Sequence, residues 1–450
     1  MDELENTISQ RDIEKIEDFE LFESTIDTFI LEIDALAESL PLIGGLLELK
    51  VRNNSKRLNR FMKENSKGDN SNKQQFQIPL EQFNLFNRLE RDFEIAQAAM
   101  DILPRHFIVS LVSQYDAYLA ELYRTLFQIK PELAFSLDKE FTFQEILKYD
   151  DLDALKEYVI EKDVENLLRE SHYEQLKVLE KRITRHTNKE FTLTTNLQIL
   201  PTFVEVAERR NLFVHCNGIV SSQYIDVCKK HGVANIDNVK IDDVLNVHPE
   251  YFDKAYRAYY EVGVKLCQVL WRKFLPNEID KADTNLNNIC YDLIVNGYYK
   301  LAITLLKFAT EELPRKGSQA VRKMLVVNKA LAYYLSGDKS ATVKILDSED
   351  FTIGTEFKLA VAVLKEDFKE AKKLMIKIGA DDETFDKGAY QEFPLFKVFR
   401  ETEEFKEAFK EVFKEDVIIK EAPKRSFVEL LDSINKKKKE QLNQLTKDKS

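Results

Sequence analysis

The stretch LQILPTFVEVAERRNLFVHCNG, residues 197–218, decides how the chain is read. At about 100° per residue, Leu197, Leu200, Phe203, Val204, Ala207, Asn211 and Val214 fall on one side of a helix, and Val206, Leu212 and Phe213 cover the opposite side. A helix that is apolar on two faces is buried on two faces, as at the centre of a bundle or at a subunit interface. Arg210 lies at one edge of the first stripe, His215 at the other, and Asn211 between them. Polar and charged groups in such a setting need partners, so the cluster marks either a structural network or a functional cleft. Asn217-Gly218 then stops the helix, because Asn and Gly tolerate the left-handed backbone of a helix terminus.

Outward from this segment the pattern stays helical. Upstream, Pro104 is expected to open a core helix in which Ile108, Leu111, Tyr115, Tyr118, Leu122 and Leu126 recur at helical spacing. Shorter helices are expected near Thr142–Leu147 and Leu152–Leu168, followed by a basic one ending around Lys189. Downstream, Ser221-Ser222 can cap a helix running to Lys229-Lys230-His231-Gly232. Val239–Val247 is short enough to be extended, and Pro249 starts a long helix that carries Trp271 and ends near Leu275-Pro276.

At the N-terminal end Phe22, Ile26, Phe29, Ile30, Ile33 and Leu36 form one stripe of a helical arm. Lys63–Gln75 holds no apolar residue and is expected to be a mobile loop. Beyond Asp283 the grammar changes. Gly297-Tyr298-Tyr299-Lys300-Leu301-Ala302 leads through Leu306 and Ala309 to Pro314 at the spacing of the second helix of a tetratricopeptide repeat. Parts of the pattern recur at Ala330, Tyr333 and Gly337-Asp338, at Asp367-Phe368-Lys369-Glu370-Ala371 and at Glu404-Phe405-Lys406-Glu407-Ala408, which makes four degenerate units. Four units suffice for helix pairs to stack around a shared core. The expected organisation is therefore all-α: an N-terminal arm and polar loop over 1–75, a helical bundle over 76–276, a helical-repeat domain over 283–416, and a charged tail over 417–450 that includes Lys436–Lys439.

Composition narrows the functional classes. With only 12 Gly and 10 Pro in 450 residues, turn-rich sheet folds are disfavoured. A net charge of −12 argues against broad electrostatic capture of nucleic acid, so any such contact must be local. The densest basic run, Lys177, Lys181, Arg182, Arg185, His186 and Lys189, is either a guide for RNA toward the Arg210–His215 helix or a solvated helix face. Cys216, Cys228, Cys267 and Cys290 stand singly, as packing thiols of a reducing compartment do. His106, His172, His186, His231 and His248 share no metal-ligand spacing, and no phosphate-binding Gly loop or nucleophile elbow occurs. No cofactor and no metal are expected. The acidic start Met1-Asp2-Glu3-Leu4-Glu5 lacks the features of a secretory signal, and no uncharged apolar run reaches membrane-spanning length, which makes the cytoplasm the expected location.

The segment Glu205 to Gly218, with Arg210-Asn211 followed after four residues by His215, resembles the active-site helix of HEPN domains, which are helical bundles of many prokaryotic toxins and defence proteins. Arg209 also satisfies the spacing, but the helical wheel sets it among Val206, Leu212 and Phe213, so Arg210 is the better match. The resemblance covers roughly residues 80–275 and implies a metal-independent endoribonuclease, with RNA, tRNA included, as substrate and with a composite site formed by a homodimer. It further implies a toxin or an abortive-infection effector against phage. The chemistry is sound. Imidazole exchanges protons near neutral pH, and a guanidinium stabilises charge developing on a phosphate. Asn211 would orient either partner or a phosphate oxygen. On one helix Arg210 and His215 point about 140° apart, which a symmetric dimer can reconcile. The repeat domain would bind a protein regulator or sensor. The competing expectation is a non-catalytic scaffold that dimerises through the bundle and binds a partner through the repeats.

Overall fold

A computed structural model describes residues 17–67, 75–76, 78–136, 142–314, 316–352, 354–382 and 384–418. Within them the protein is helical apart from a two-residue antiparallel ladder and one isolated bridge, in agreement with the all-α expectation. Asp27–Gly263 form one compact unit, and the described residues of 1–26 and 264–450 form the other. The division runs through the N-terminal arm, because its stripe serves both units: Phe22 stacks on Trp271 at 5.6 Å, whereas Phe29 stacks on Tyr118 at 4.3 Å.

Two helices of 47 residues each begin the fold, α1 over Asp18–Glu64 and α2 over Phe83–Ile129. Both run through an interior proline, Pro41 in α1 and Pro104 in α2. The expectation that Pro104 opens a helix is thus corrected: α2 begins 21 residues earlier, at Phe83. An interior proline costs about 3 kcal/mol. The run after Pro104 buries Phe107, Ile108, Leu111, Val112, Tyr115, Tyr118, Leu119, Leu122, Tyr123 and Leu126, and each full side-chain burial contributes about 1.5–3 kcal/mol. Burial therefore outweighs the proline. Helix α1 reaches Glu64 inside the expected loop, and Ser66–Lys67 pair with Gln75–Phe76 as β1 and β2; residues 68–74 of that loop lie outside the described residues, as does the expected tail from 419 onward.

The Asp27–Gly263 unit continues with the short α3 (Phe143–Ile146), α4 (Leu152–Arg169), α5 (His172–Thr187), α6 (Leu200–His215), α7 (Ser222–Lys230) and the part of α8 (Pro249–Phe274) up to Gly263. Asp151, Ser171 and Ser221 accept backbone N–H bonds at the starts of α4, α5 and α7, as capping residues do. The core is aromatic. Tyr115 lies edge-on to Phe203 at 5.0 Å and to Tyr259 at 5.3 Å, and Tyr118 donates to the Gly263 carbonyl at 2.8 Å. Gly263 is required there, since a Cβ would stand 2.4 Å from the Phe29 ring. The segment expected to be extended does pair: Val220 donates to Asp243 and Leu245 to Gly218, around a bridge between Ile219 and Val244.

By length and composition α2 is the one helix of the described residues that could cross a membrane. Its apolar stretch nevertheless holds Asp101 and Arg105, and the Arg105 guanidinium is tied to Asn217 and Asn246 within the same unit.

In the other unit three helix hairpins follow one another: α9 (Ile279–Val295) with α10 (Tyr299–Lys307), α11 (Gln319–Leu335) with α12 (Lys339–Asp347), and α13 (Thr355–Leu364) with α14 (Phe368–Ile378). Their turns share one hydrogen-bond pattern. Tyr298 donates to Leu293, Asp338 to Tyr333 and Asp367 to Ala362, closing each helix with a left-handed residue: Gly297, Gly337 and Glu366. Four residues after each of those donors stands a small side chain with no exposed surface, Ala302, Thr342 and Ala371, where the hairpin's helices meet. The short α15 (Lys387–Glu392) and α16 (Glu403–Phe413) complete the unit, with Phe396, Phe399, Phe405 and Phe409 buried among them.

Candidate functional site

Helix α6 starts three residues later than the sequence pattern suggests, with Pro201 in its first turn, and ends at His215. Six consecutive residues, Phe203 to Glu208, are buried, so the middle of this helix is enclosed all round. At its end Asn217 and Gly218 take φ values of 49° and 82°, and the Cys216 and Gly218 amides both donate to Leu212. A Cβ on Gly218 would meet the Leu245 carbonyl oxygen at 2.9 Å, so this turn depends on glycine for space as well as for backbone angle. Arg105 of α2 fixes the turn from outside, donating from Nη1 to the Asn217 carbonyl at 3.0 Å and from Nη2 to Asn246 Oδ1 at 2.6 Å, with its guanidinium 5.8 Å from the Phe213 ring centre.

Two polar networks leave the sides of α6. The first is closed. Glu205, 3% exposed, accepts from Arg209 Nε at 2.7 Å, Tyr224 OH at 2.7 Å and Tyr251 OH at 2.9 Å, while the Arg209 guanidinium lies 3.9 Å over the Tyr251 ring. Both carboxylate oxygens have partners there, and Arg209 is held by an ion pair and an aromatic ring.

The second network is open. Arg210 donates from Nη2 to Asp116 Oδ2 of α2 at 2.9 Å, and its Nε is buried without a hydrogen-bond partner. The other oxygen of Asp116 stands 3.3 Å from His172 Nε2 of α5, yet neither atom completes a hydrogen bond. Gln175 Oε1 and the hydroxyls of Tyr115 and Tyr259 are likewise buried without partners. Burial lifts the Asp116 carboxyl to about 6 against the opposing pull of Arg210 and of a hydrogen bond with Gln175. Burial, with Arg210 nearby, holds His172 down at about 3. His172 is therefore neutral at physiological pH, and its contact with Asp116 is not an ion pair.

Asn211 takes a partner on its own helix. Its side chain bonds Glu208, whose carboxyl burial raises while Asn211 and Arg210 oppose the rise. His215 is exposed on the last residue of α6, beside the exposed Val214 and near the surface bridge of Ile219 and Val244. Arg210 and His215 thus leave one helix in different directions, the former toward α2 and the latter into solvent. The structure brings Arg210 together with Asp116 and His172, which spacing along the sequence did not connect to it. The available signal was an Asp directly after a core tyrosine on an otherwise apolar helix stripe.

The basic run on and after α5 is divided by the fold. Arg182 is ion-paired with Asp163 and lies 5.1 Å over the Tyr123 ring, and burial lowers its guanidinium to about 10. Lys177 is bound to Glu180, a 4% exposed carboxylate that also accepts from the Leu193 and Thr194 amides. Lys181, Arg185, His186 and Lys189 remain on the surface. Among the described residues no group of three or more His, Cys, Asp or Glu side chains could hold a metal ion. Compared with protein-family models, curated proteins and solved structures, the chain matches none.

Proposed function

We propose that this chain is a metal-independent endoribonuclease of the HEPN type, working as a homodimer in which each copy contributes Arg210, Asn211 and His215 to a shared cleft. The observation that carries the reading is the exposure of His215 at the end of a helix whose Arg210 guanidinium is bonded through one nitrogen only. In the reaction the ribose 2′ oxygen bonds to the adjacent phosphorus and the bond from phosphorus to the 5′ oxygen breaks. A proton leaves the 2′ hydroxyl for a base and another reaches the departing 5′ oxygen. One imidazole can serve either transfer, and two copies supply two. Arg210 places positive charge where the phosphate oxygens gain negative charge.

Two further supports come from the same helix. The Asn217-Gly218 turn is anchored by Arg105, which fixes the position from which His215 projects. The exposed Val214, Ile219 and Val244 give the His215 surface an apolar rim that a second copy can cover. A cytoplasmic toxin or antiphage effector is the cellular role that fits such an activity, and the three hairpins are read as a tetratricopeptide-like surface for a protein regulator.

The test is cleavage of total RNA and tRNA in the presence of chelator by the wild-type protein and by Arg210→Ala and His215→Ala. Cleavage lost in both variants is the expected result. The Arg210–Asp116 ion pair also favours a second reading, a dimerising scaffold in which Arg210 is purely structural. Absence of cleavage by the wild-type dimer, with or without its regulator, would establish that reading instead.

A further inference from the structure

Arg210 is held from an unexpected direction. The groups facing Asp116 come from four helices: Tyr115 on its own α2, His172 and Gln175 on α5, Arg210 on α6, and Tyr259 on α8; Glu208 of α6 neighbours Arg210 in turn. Of the nine buried side-chain atoms without hydrogen-bond partners in the described residues, six belong to this group, on Tyr115, Asp116, His172, Gln175, Arg210 and Tyr259. A structural network whose only role is stability satisfies its members, as the Glu205 network on the other side of α6 does. Concentrated unsatisfied groups beside a partly exposed guanidinium mark a place where function outweighs stability.

We infer that Asp116 is a positioning residue: by taking one nitrogen of Arg210 it aims the rest of the guanidinium toward the surface of α6, where a phosphodiester binds, with His172 and Tyr259 packed beside the partly exposed carboxylate. This inference rests on the endoribonuclease reading and adds a residue to its site. Asp116 never touches the substrate. It acts through Arg210, restricting the fork to one orientation so that no reorganisation is needed when phosphate charge develops.

The restraint depends on Asp116 being ionised. Its folded carboxyl binds a proton more tightly than the unfolded one, so its stabilising contribution is complete below about pH 4 and is lost as pH rises through about 6. Asp116→Asn, which preserves shape, removes that dependence. The stability difference between variant and wild type should move in the variant's favour from pH 4 to pH 7, as read by urea denaturation.

The decisive experiment has two arms on the full-length protein. In the first, Arg210 modification by phenylglyoxal is followed by mass spectrometry; Asp116→Asn should react several-fold faster than wild type, because the freed guanidinium samples solvent. In the second, cleavage of tRNA at pH 8 should show kcat lowered about 10- to 100-fold, the cost of a misplaced catalytic group, with KM unchanged and partial rescue by Asp116→Glu. Equal modification rates overturn the inference. So does an Asp116→Asn enzyme with wild-type kcat alongside inactive Arg210→Ala and His215→Ala, a result that leaves the nuclease reading intact. If the wild type itself cleaves nothing, the nuclease reading falls, and the role of Asp116 in catalysis falls with it even where modification is faster.

Discussion

The two sides of α6 carry adjacent arginines in opposite conditions. Arg209 faces a carboxylate to which three groups donate and both of whose oxygens are bonded, under an aromatic ring and beside a second tyrosine hydroxyl. Arg210 faces a carboxylate that it shares with a neutral histidine, in company with tyrosines whose hydroxyls have no partner. Both arginines are ion-paired on one helix, and only the surroundings differ. A closed network is built to hold a helix in place. An open one leaves valence for something else.

The comparison can be broken most directly through function. His215→Ala should lower RNA cleavage about 10²–10⁴-fold, the usual worth of a positioned acid or base; single-turnover cleavage of tRNA measures it, and a wild-type rate would remove His215 from the site. Next in size is the closed network. Glu205→Ala or Arg209→Ala strands a buried charge and is expected to cost about 3–5 kcal/mol in urea denaturation. Gly218→Ala follows at about 1–3 kcal/mol, because the residue must keep a left-handed backbone against the Leu245 carbonyl.

The sharpest contrast comes with smaller numbers. Arg210→Ala should cost about 1 kcal/mol or less, since its pair is partly exposed and the released Asp116 can take up a proton. A loss equal to that of Arg209→Ala would mean that the second network is as structural as the first. Smallest of all, His215→Ala should leave stability within about 0.5 kcal/mol of wild type, as an exposed side chain does.

The proline positions show where local reasoning stops. Pro104 read alone marks a helix start, yet α2 passes straight through it, because the aromatic and aliphatic residues that follow are packed by helices far away in sequence. The turns of the three helix hairpins were easier to read. Gly297 and the Gly337-Asp338 pair announce left-handed helix ends from residue type alone, whereas Glu366 adopts the same angle without a glycine to reveal it. Basic residues on and after α5 misled in the other direction: a run that looks continuous is partly consumed by Asp163 and Glu180.

The sequence by itself determined the all-helical class, the order of most helices and the buried character of α6, because periodicity and terminator residues act over a few turns of one chain segment. Only the tertiary structure decided that Arg210 turns inward to Asp116 while His215 stays in solvent, that Asn211 bonds Glu208, and that His172 stands beside Asp116. Those facts depend on which side chains from distant helices share a low-dielectric space, and a one-dimensional pattern carries no record of that distance.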